Sequence, residues 1–195
     1  TIMDFVPRER LDQISQTGVH QGVVAYVAAY EYAEVEDILA NAESKGKPPF
    51  IIICDEIQDP HNLGAIIRTA EAAGADGVII PKRRSATVNP TVFKTSAGAA
   101  AWIKIARVSN LVDTIKTLKK HGVWVYGAEA DGTPIDKADL SGALALVIGS
   151  EGFGLGKLVR ENCDVVLSLP MFGKVNSLNA SVCAGILMYE AVKYR

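Results

Sequence analysis

The chain has 195 residues, of which 49% are hydrophobic and 22% are charged, and its formal net charge is −2 at pH 7. These values are typical of one folded globular domain and exclude a disordered chain. They also exclude a domain that holds nucleic acid by overall positive charge alone. No apolar run approaches the roughly 18 residues of a membrane span, and no signal sequence is recognised at the N-terminus.

The cysteine and histidine residues predict neither disulfides nor a metal site. Cys54, Cys163 and Cys183 are far apart and lie in apolar contexts, whereas a disulfide framework or a zinc site needs closely spaced cysteines. His61 and His121 have no ligand partners at metal spacing. We therefore expect a metal-free protein in the reducing cytoplasm.

Strands and helices alternate along most of the chain. Residues 1–22 are polar and irregular, which predicts a linker leading into the fold. Apolar runs and helical spacing then predict the following elements: strands over residues 23–29, 50–54, 77–80, 103–108, 123–128, 144–148 and 165–169, and helices over residues 31–44, 63–73, 89–95, 111–121, 155–162 and from about 178 onward. Most of these strands are apolar throughout, as in parallel strands covered on both faces. The sequence therefore predicts an α/β fold with a parallel sheet flanked by helices.

The last helix carries a regular apolar pattern. The residues that recur at helical spacing are Leu178, Val182, Gly185, Ile186, Tyr189 and Val192. This spacing predicts that their face of the helix is buried.

Polar residues follow the strand over residues 50–54, where the chain enters a helix. Asn62 is well placed to cap that helix through its side chain, and Arg68 follows near the end of the second turn. Arg68 has apolar neighbours, so its simplest interpretation is a solvated helix residue. A functional role for both residues depends on what the neighbouring loops contribute.

A glycine-rich loop over residues 148–156 follows the strand over 144–148. Glycines let the backbone approach a ligand closely. The dinucleotide motif G-x-G-x-x-G fails because Lys157 stands at its third glycine, and the phosphate-binding motif fails at Glu151 and Leu158. Because Glu151 would repel a pyrophosphate, we expect an adenosine attached to a cationic or neutral group.

A third polar segment, residues 169–181, joins the last strand to the last helix. Asn176, Ser177, Asn179 and Ser181 crowd this junction. Helix capping needs only one of them, so a binding or catalytic loop is favoured over capping alone. Since the three segments follow three different strands, each can contribute to one crevice at the carboxyl edge of the sheet.

These segments resemble the SpoU, or TrmH-like, branch of the SPOUT methyltransferases. The resemblance covers residues 50–195 and rests on three motifs: Asn62 with Arg68 six residues later, Gly149-Ser150-Glu151-Gly152, and Ser177-Leu178-Asn179-Ala180-Ser181. It implies transfer of a methyl group from S-adenosylmethionine to a ribose 2′-hydroxyl of RNA. It also implies a deep trefoil knot formed by the chain from about Leu144 onward, which would be an exception to the rule against threaded chains.

The opening residues resemble the members that methylate a guanosine of large-subunit ribosomal RNA. Those members carry an N-terminal RNA-binding domain, which would precede Thr1. The resemblance thus divides the chain into a linker, residues 1–22, and a catalytic domain, residues 23–195. It also implies a homodimer that packs through the last helix, with Met188 and Tyr194 as interface candidates, and an active site that borrows residues from the partner.

The resemblance assigns roles to individual residues. The implied catalytic residues are Arg68, Asn62, Glu151, Ser177 and Asn179, and the implied cofactor-binding residues are Gly149, Leu169 and Leu178. Because the pKa of arginine lies above about 12, we expect Arg68 to stabilise the developing alkoxide and hold a phosphate rather than act as a base. A basic cluster of Lys82, Arg83 and Arg84 is a candidate RNA contact, and a solvated turn explains it equally well.

Three alternatives stay open at this point. The substrate could be transfer RNA. The chain could be a non-catalytic RNA-binding or ribosome-assembly protein of the same fold, although it keeps all five implied catalytic residues. The third alternative is a nucleotide-dependent oxidoreductase, which the failed dinucleotide motif weakens.

Overall fold

The computed structural model describes residues 3–15, 18–25 and 30–195. It divides into two compact units, Thr1–Glu31 and Tyr32–Arg195. The described part of the first unit contains one helix, α1 (Arg8–Ile14). The strand predicted over residues 23–29 is absent at residues 23–25, and residues 26–29 lie outside the described part. Within the described ranges, no helix is both long and apolar enough to cross a membrane.

The second unit is built on a parallel sheet of six strands. Its strands are β1 (Phe50–Cys54), β2 (Gly77–Pro81), β3 (Lys104–Val108), β4 (Trp124–Pro134), β5 (Leu144–Ile148) and β6 (Val165–Ser168). They are arranged in the order β3-β2-β1-β5-β4-β6, and all neighbouring pairs are parallel. β1 and β5 at the centre are buried throughout, as expected when both faces of a sheet are covered. The predicted α/β class is confirmed.

Six helices surround the sheet. They are α2 (Val35–Ser44), α3 (Pro60–Ala72), α4 (Pro90–Thr95), α5 (Leu111–Lys120), α6 (Lys157–Asn162) and α7 (Ala180–Val192). One core cluster joins α2, α5 and α6 to one face of the sheet. On the other side α3 packs against α4 and α7, and α7 packs against β5.

The largest differences from the predicted helix starts are at α2 and α3, where other side chains cap the helices. α2 begins at Val35 rather than at residue 31, since Glu34 and Asp37 form a reciprocal capping box. α3 begins at Pro60, because the Asp59 carboxylate accepts a hydrogen bond from the backbone N–H of His61 at 2.9 Å. The prediction that Asn62 is the N-cap is wrong, and this leaves its side chain available for other contacts.

β4 extends beyond the predicted end at residue 128. Its pairing with β6 shifts between Ala128 and Thr133, so that the intervening residues bulge out of the ladder. Gly132 lies in this bulge, where a Cβ atom would lie only 2.6 Å from the Val166 carbonyl oxygen. The bulge displaces Glu129 from the regular pairing at the carboxyl edge of the sheet.

The buried face of α7 is not the predicted one. Val182 is 50% exposed, Ile186 is 40% exposed and Tyr189 is 52% exposed. The buried residues are Ala180, Ala184, Leu187, Met188 and Ala191. Because α7 is apolar on both faces, periodicity could not decide which face meets the core, and the face with three alanines allows close packing.

The two interface candidates in this helix differ. Met188 is fully buried within the chain, so its prediction as an interface residue is wrong, whereas Tyr194 is 51% exposed. The chain leaves β6 at the edge of the sheet and returns to place α7 against α3 and the central strand β5. Threading of this segment into a trefoil knot stays a prediction.

Candidate active site

A cavity of about 540 Å³ opens at the carboxyl ends of β5 and β6, beside the bulge in β4. Crevices for ligands form at this edge of open α/β sheets, and the volume suits a small-molecule cofactor. The walls come from the start of the β4 bulge, the glycine-rich loop after β5, the segment after β6 and the start of α7. The three segments singled out in the sequence therefore do not contribute equally, since the loop before α3 is not part of the lining.

The cavity brings together most of the implied site residues. Gly149, Leu169 and Leu178, the implied cofactor-binding residues, all line it. Glu151 and Ser177, two of the implied catalytic residues, line it as well. Asn62, Asn179 and Arg68 are outside the lining.

The glycine-rich loop is closed by two backbone hydrogen bonds. The N–H of Ser150 donates to the carbonyl of Gly154 at 3.0 Å, and the N–H of Gly154 donates back at 2.9 Å. A Cβ atom on Gly149 would lie 2.3 Å from the Gly154 carbonyl carbon. Gly149 is therefore needed for the close approach of the two sides of this turn, and Glu151 is held near its tip.

A hydrogen-bonded network joins all three polar segments. The Asn62 side-chain amide donates to the Glu151 carboxylate. The Asn179 side-chain amide donates to the side-chain oxygen (Oδ1) of Asn62 at 3.0 Å. The side-chain oxygen (Oδ1) of Asn179 accepts from the backbone N–H groups of Ser181 and Val182, so that it caps α7. Asn179 thus serves both predicted roles, because its oxygen caps the helix while its nitrogen orients Asn62.

Arg68 stands apart from this network. Its side chain is exposed, and within the described part of the chain it makes no hydrogen bond or ion pair. Arg68 is six positions after Asn62 in α3. Its side chain therefore lies about 120° around the helix from that of Asn62 and about 9 Å further along the helix axis. Arg68 therefore faces a different direction from Asn62 within one chain.

The basic cluster also lies away from the cavity. Lys82, Arg83 and Arg84 are exposed in the loop after β2. Arg84 pairs with Glu56 at 3.3 Å, while Arg107 donates to the Lys82 carbonyl at 3.0 Å and so steadies the loop. The other two basic residues of the cluster, Lys82 and Arg83, face solvent.

The charge of the cavity is negative. Two carboxylates, Glu129 and Glu151, line it, and no lysine, arginine or histidine does so among the residues described. Such a cavity favours a cationic ligand and disfavours a pyrophosphate. The sequence analysis missed Glu129, whose Oε1 accepts from the Leu155 N–H at 2.6 Å. Its position directly after a predicted strand was the available signal.

A buried carboxylate supports the glycine-rich loop from behind. Asp55 is only 4% exposed, and its Oδ2 accepts from the Gly156 N–H at 2.7 Å. Burial raises the pKa of this carboxyl group above its usual range. Burial likewise raises the pKa of Cys183, which lines the cavity, so its side chain stays a thiol rather than a nucleophilic thiolate.

No group of three or more His, Cys, Asp or Glu side chains that could hold a metal ion occurs within residues 3–15, 18–25 and 30–195. The absence of a metal stays a prediction.

Two family models match the chain. The model of the SpoU rRNA Methylase family matches residues 49–189, and a model described as RNA 2′-O ribose methyltransferase substrate binding matches residues 1–33. A Bacillus subtilis protein, assigned by name to the TrmH family of tRNA/rRNA methyltransferases, is 54% identical over 99% of this chain and 78% of its own length. A Staphylococcus saprophyticus protein of the same assignment is 48% identical over the whole chain and 78% of its own length.

Solved structures agree with these matches. The SpoU methyltransferase AviRb from Streptomyces viridochromogenes, in complex with AdoMet, superposes with a TM-score of 0.70 at 29% identity, covering 75% of this chain and 58% of that one. An AdoMet-bound rRNA methyltransferase from Sinorhizobium meliloti gives a TM-score of 0.74 at 29% identity, covering 84% and 61%. The resemblance stated from the motifs is confirmed, as are the enzyme class and the cofactor. The chain belongs to the SpoU family of RNA methyltransferases, for which S-adenosylmethionine is the methyl donor.

Proposed function

We propose that this chain methylates a ribose 2′-hydroxyl, and that its substrate is a guanosine of large-subunit ribosomal RNA. The observation that carries the proposal is the junction of an acidic cofactor cavity with the Glu151–Asn62–Asn179 network at one edge of the sheet. The match of residues 1–33 to an RNA 2′-O ribose methyltransferase substrate-binding model supports ribose as the acceptor. Transfer RNA is the second candidate, since the names of the relatives include both RNA classes.

S-adenosylmethionine, when bound, supplies an electrophilic methyl group on a sulfonium. Gly149, Leu169 and Leu178 would hold it in the cavity, and the two lining carboxylates favour its positive charge. Because the methyl donor would lose its positive charge on transfer, the apolar part of the lining, which includes Leu169 and Leu178, would favour the transfer by limiting contact with water.

The network would align the acceptor. Ser177 lies at the cavity wall, and Asn62 and Asn179 are fixed beside it, so their polar groups can orient the ribose. Glu151 was expected to hold Arg68 or a substrate donor, and in the structure it accepts from Asn62 instead. Arg68 would hold the neighbouring phosphate and stabilise negative charge on the 2′-oxygen, whose proton would pass to solvent.

Arg68 can act at the cavity if it comes from a second copy of the chain, so we propose a homodimer that packs through α7. Val182, Ile186 and Tyr189 form an exposed apolar stripe on this helix. Gly185 lies on the same stripe, and a Cβ atom there would lie 3.8 Å from Thr69, the residue after Arg68. A second copy covering the stripe would therefore come close to Arg68.

Further contacts with RNA would come from outside the cavity. Lys82 and Arg83 are exposed and available for phosphates, whereas Arg84 is partly neutralised by Glu56. We propose that residues 1–22 link an RNA-binding segment to the catalytic domain, and that the protein works in the cytoplasm, where free thiols such as those of Cys54 persist.

The test is methyl transfer from tritiated S-adenosylmethionine to total RNA from cells that lack the gene, followed by mapping of 2′-O-methyl sites. The proposal predicts label at one ribose of large-subunit RNA. Label in transfer RNA would favour the second candidate. Retention of RNA without any transfer of label would favour the non-catalytic assembly role and contradict the proposal.

A further inference from the structure

Two phenylalanine side chains project into solvent beside the cavity. Phe153 lies at the tip of the turn closed by Ser150 and Gly154, and Phe172 follows Met171 in the segment after β6. Each is 95% exposed, although burying such a large apolar ring would stabilise the fold. Ser150, Gly154 and Met171 line the cavity, so both rings extend from its walls.

Each phenylalanine is accompanied by an unpaired cation. Lys157 begins α6 four residues after Phe153, and Lys174 follows Phe172 by two residues. Both lysines are exposed, and neither makes an ion pair or hydrogen bond within the residues that the structure describes. Aromatic rings interleaved with free cations are the usual composition of surfaces that bind unpaired nucleotides.

We propose that Phe153 and Phe172 form a base-binding surface at the mouth of the cavity, and that Lys157 and Lys174 bind the flanking phosphates. The base is that of the nucleotide whose ribose is methylated, so the inference rests on the proposed function. An unpaired nucleotide can present its ribose to the cavity while its base is splayed out onto aromatic side chains. Stacking on exposed rings compensates for the lost neighbours and accepts any base, because every base presents a π face.

The lysines favour RNA over a second copy of this chain as the occupant of this surface. Lysine is depleted in the cores of protein interfaces, and burying Lys157 and Lys174 without partners would cost free energy. The stripe on α7, by contrast, consists of the exposed hydrophobic residues Val182, Ile186 and Tyr189. The two exposed surfaces therefore suit different partners.

The experiment compares Phe153→Leu, Phe172→Leu and the double variant with Trp102→Leu. Leucine keeps an apolar side chain but has no π face, and Trp102 is a matched control because it is 82% exposed and does not line the cavity. Stacking contributes about 1–3 kcal/mol per base, so kcat/KM for RNA should fall about 5- to 150-fold. The affinity for S-adenosylmethionine, measured by calorimetry, and the mass in solution should not change, and Trp102→Leu should match the wild type.

A second measurement does not depend on methyl transfer. The chain is irradiated at 254 nm with total RNA from cells lacking the gene, and cross-linked peptides are identified by mass spectrometry. We expect cross-links at Phe153 and Phe172. Cross-links there with no methyl transfer would support this surface and contradict the proposed function. Normal methylation by the double leucine variant would contradict the proposed base-binding surface and leave the proposed function intact. A change in the solution mass of that variant would also contradict the surface, because it would indicate a protein interface.

Discussion

Two residues of the same helix behave in opposite ways. Asn62, in the first turn of α3, is tied to Glu151 and Asn179, whereas Arg68, two turns later, is exposed and has no partner in the described part of the chain. Under the proposed mechanism, the difference teaches that one chain completes the side of the site that would hold the methyl donor, and leaves open the side that would activate the acceptor. Arg68 is positioned to act on something that arrives from outside.

Two helices show the same contrast on a larger scale. α5 buries Leu111, Ile115 and Leu118 and exposes lysines, as a surface helix does. α7 buries one apolar face and exposes a second one, which includes Ile186 and Tyr189. An exposed apolar face of this kind marks an interaction surface, so the incomplete site and the uncovered face have one explanation in the proposed dimer.

Arg68→Ala should have the largest effect. Removing one electrostatic donor to a developing oxyanion costs about 10²–10³ in rate. The variant would also lose the proposed contact of Arg68 with a phosphate, so we expect transfer to fall at least that far. Calorimetric affinity for S-adenosylmethionine should stay normal because Arg68 does not line the cavity. Arg68→Lys should also lower the rate of methyl transfer. Recovery of that rate at high pH would indicate that residue 68 acts as a base and would contradict the electrostatic role. Equal loss of transfer and cofactor affinity would contradict the separation of the two sides.

Ile186→Glu should be next in effect. A carboxylate in the apolar stripe would be buried without a partner at the dimer interface, which is strongly unfavourable. Light scattering should report a monomer, and methyl transfer should be lost with the dimer. Lys116→Glu on the exposed face of α5 is the matched control and should leave mass and activity unchanged. A dimeric Ile186→Glu variant would show that the stripe is not the interface.

Asn179→Asp separates the two functions of Asn179. An aspartate caps a helix as well as asparagine does, so the free energy of unfolding should change little. Aspartate cannot donate to the Asn62 oxygen, and transfer should therefore fall about tenfold, the equivalent of one net hydrogen bond. Asn179→Ala, which loses both functions, should also destabilise the fold by about 1 kcal/mol in urea unfolding. Normal transfer by Asn179→Asp would mean that the network has no role in alignment.

The smallest effect concerns stability and pH. Burial raises the pKa of Asp55 above its ordinary value of 3.8. Its stabilising contribution is thus fully present below that value and is lost as pH rises through the raised pKa. Relative to Asp55→Asn, whose amide oxygen can still accept from Gly156, the wild type should lose stability as the pH rises above 3.8. Urea unfolding across this range checks the sign, and Asp131→Asn, at an exposed carboxylate, should show no such trend.

The sequence predicted the architecture because its strands are buried on both faces. Runs such as residues 50–54 and 144–148 leave no polar position, and only a covered parallel strand accommodates them. The polar segments could be placed at one edge for the same topological reason. The roles of individual residues within that edge depend on angles and side-chain partners that topology does not determine.

The errors have separate physical causes. The predicted cap at Asn62 was wrong because Asp59 caps the helix three residues before it. Since Asn62 does not cap the helix, its side-chain amide is available to donate to Glu151. The predicted face of α7 was wrong because the helix is apolar on both faces, so periodicity does not show which face packs against the core. Glu129 was missed because the bulge that brings it to the cavity is a feature of strand pairing rather than of residue type.

The most direct test of a site shared by two chains is a mixed dimer of Arg68→Ala and Asn179→Asp protomers, purified through two different tags. If Arg68 acts at the partner's cavity, one of the two sites contains no substitution, and the mixed dimer should recover about half of the wild-type rate. If Arg68 acts within its own chain, each site contains one substitution. A mixed dimer no more active than its impaired parents would contradict the account.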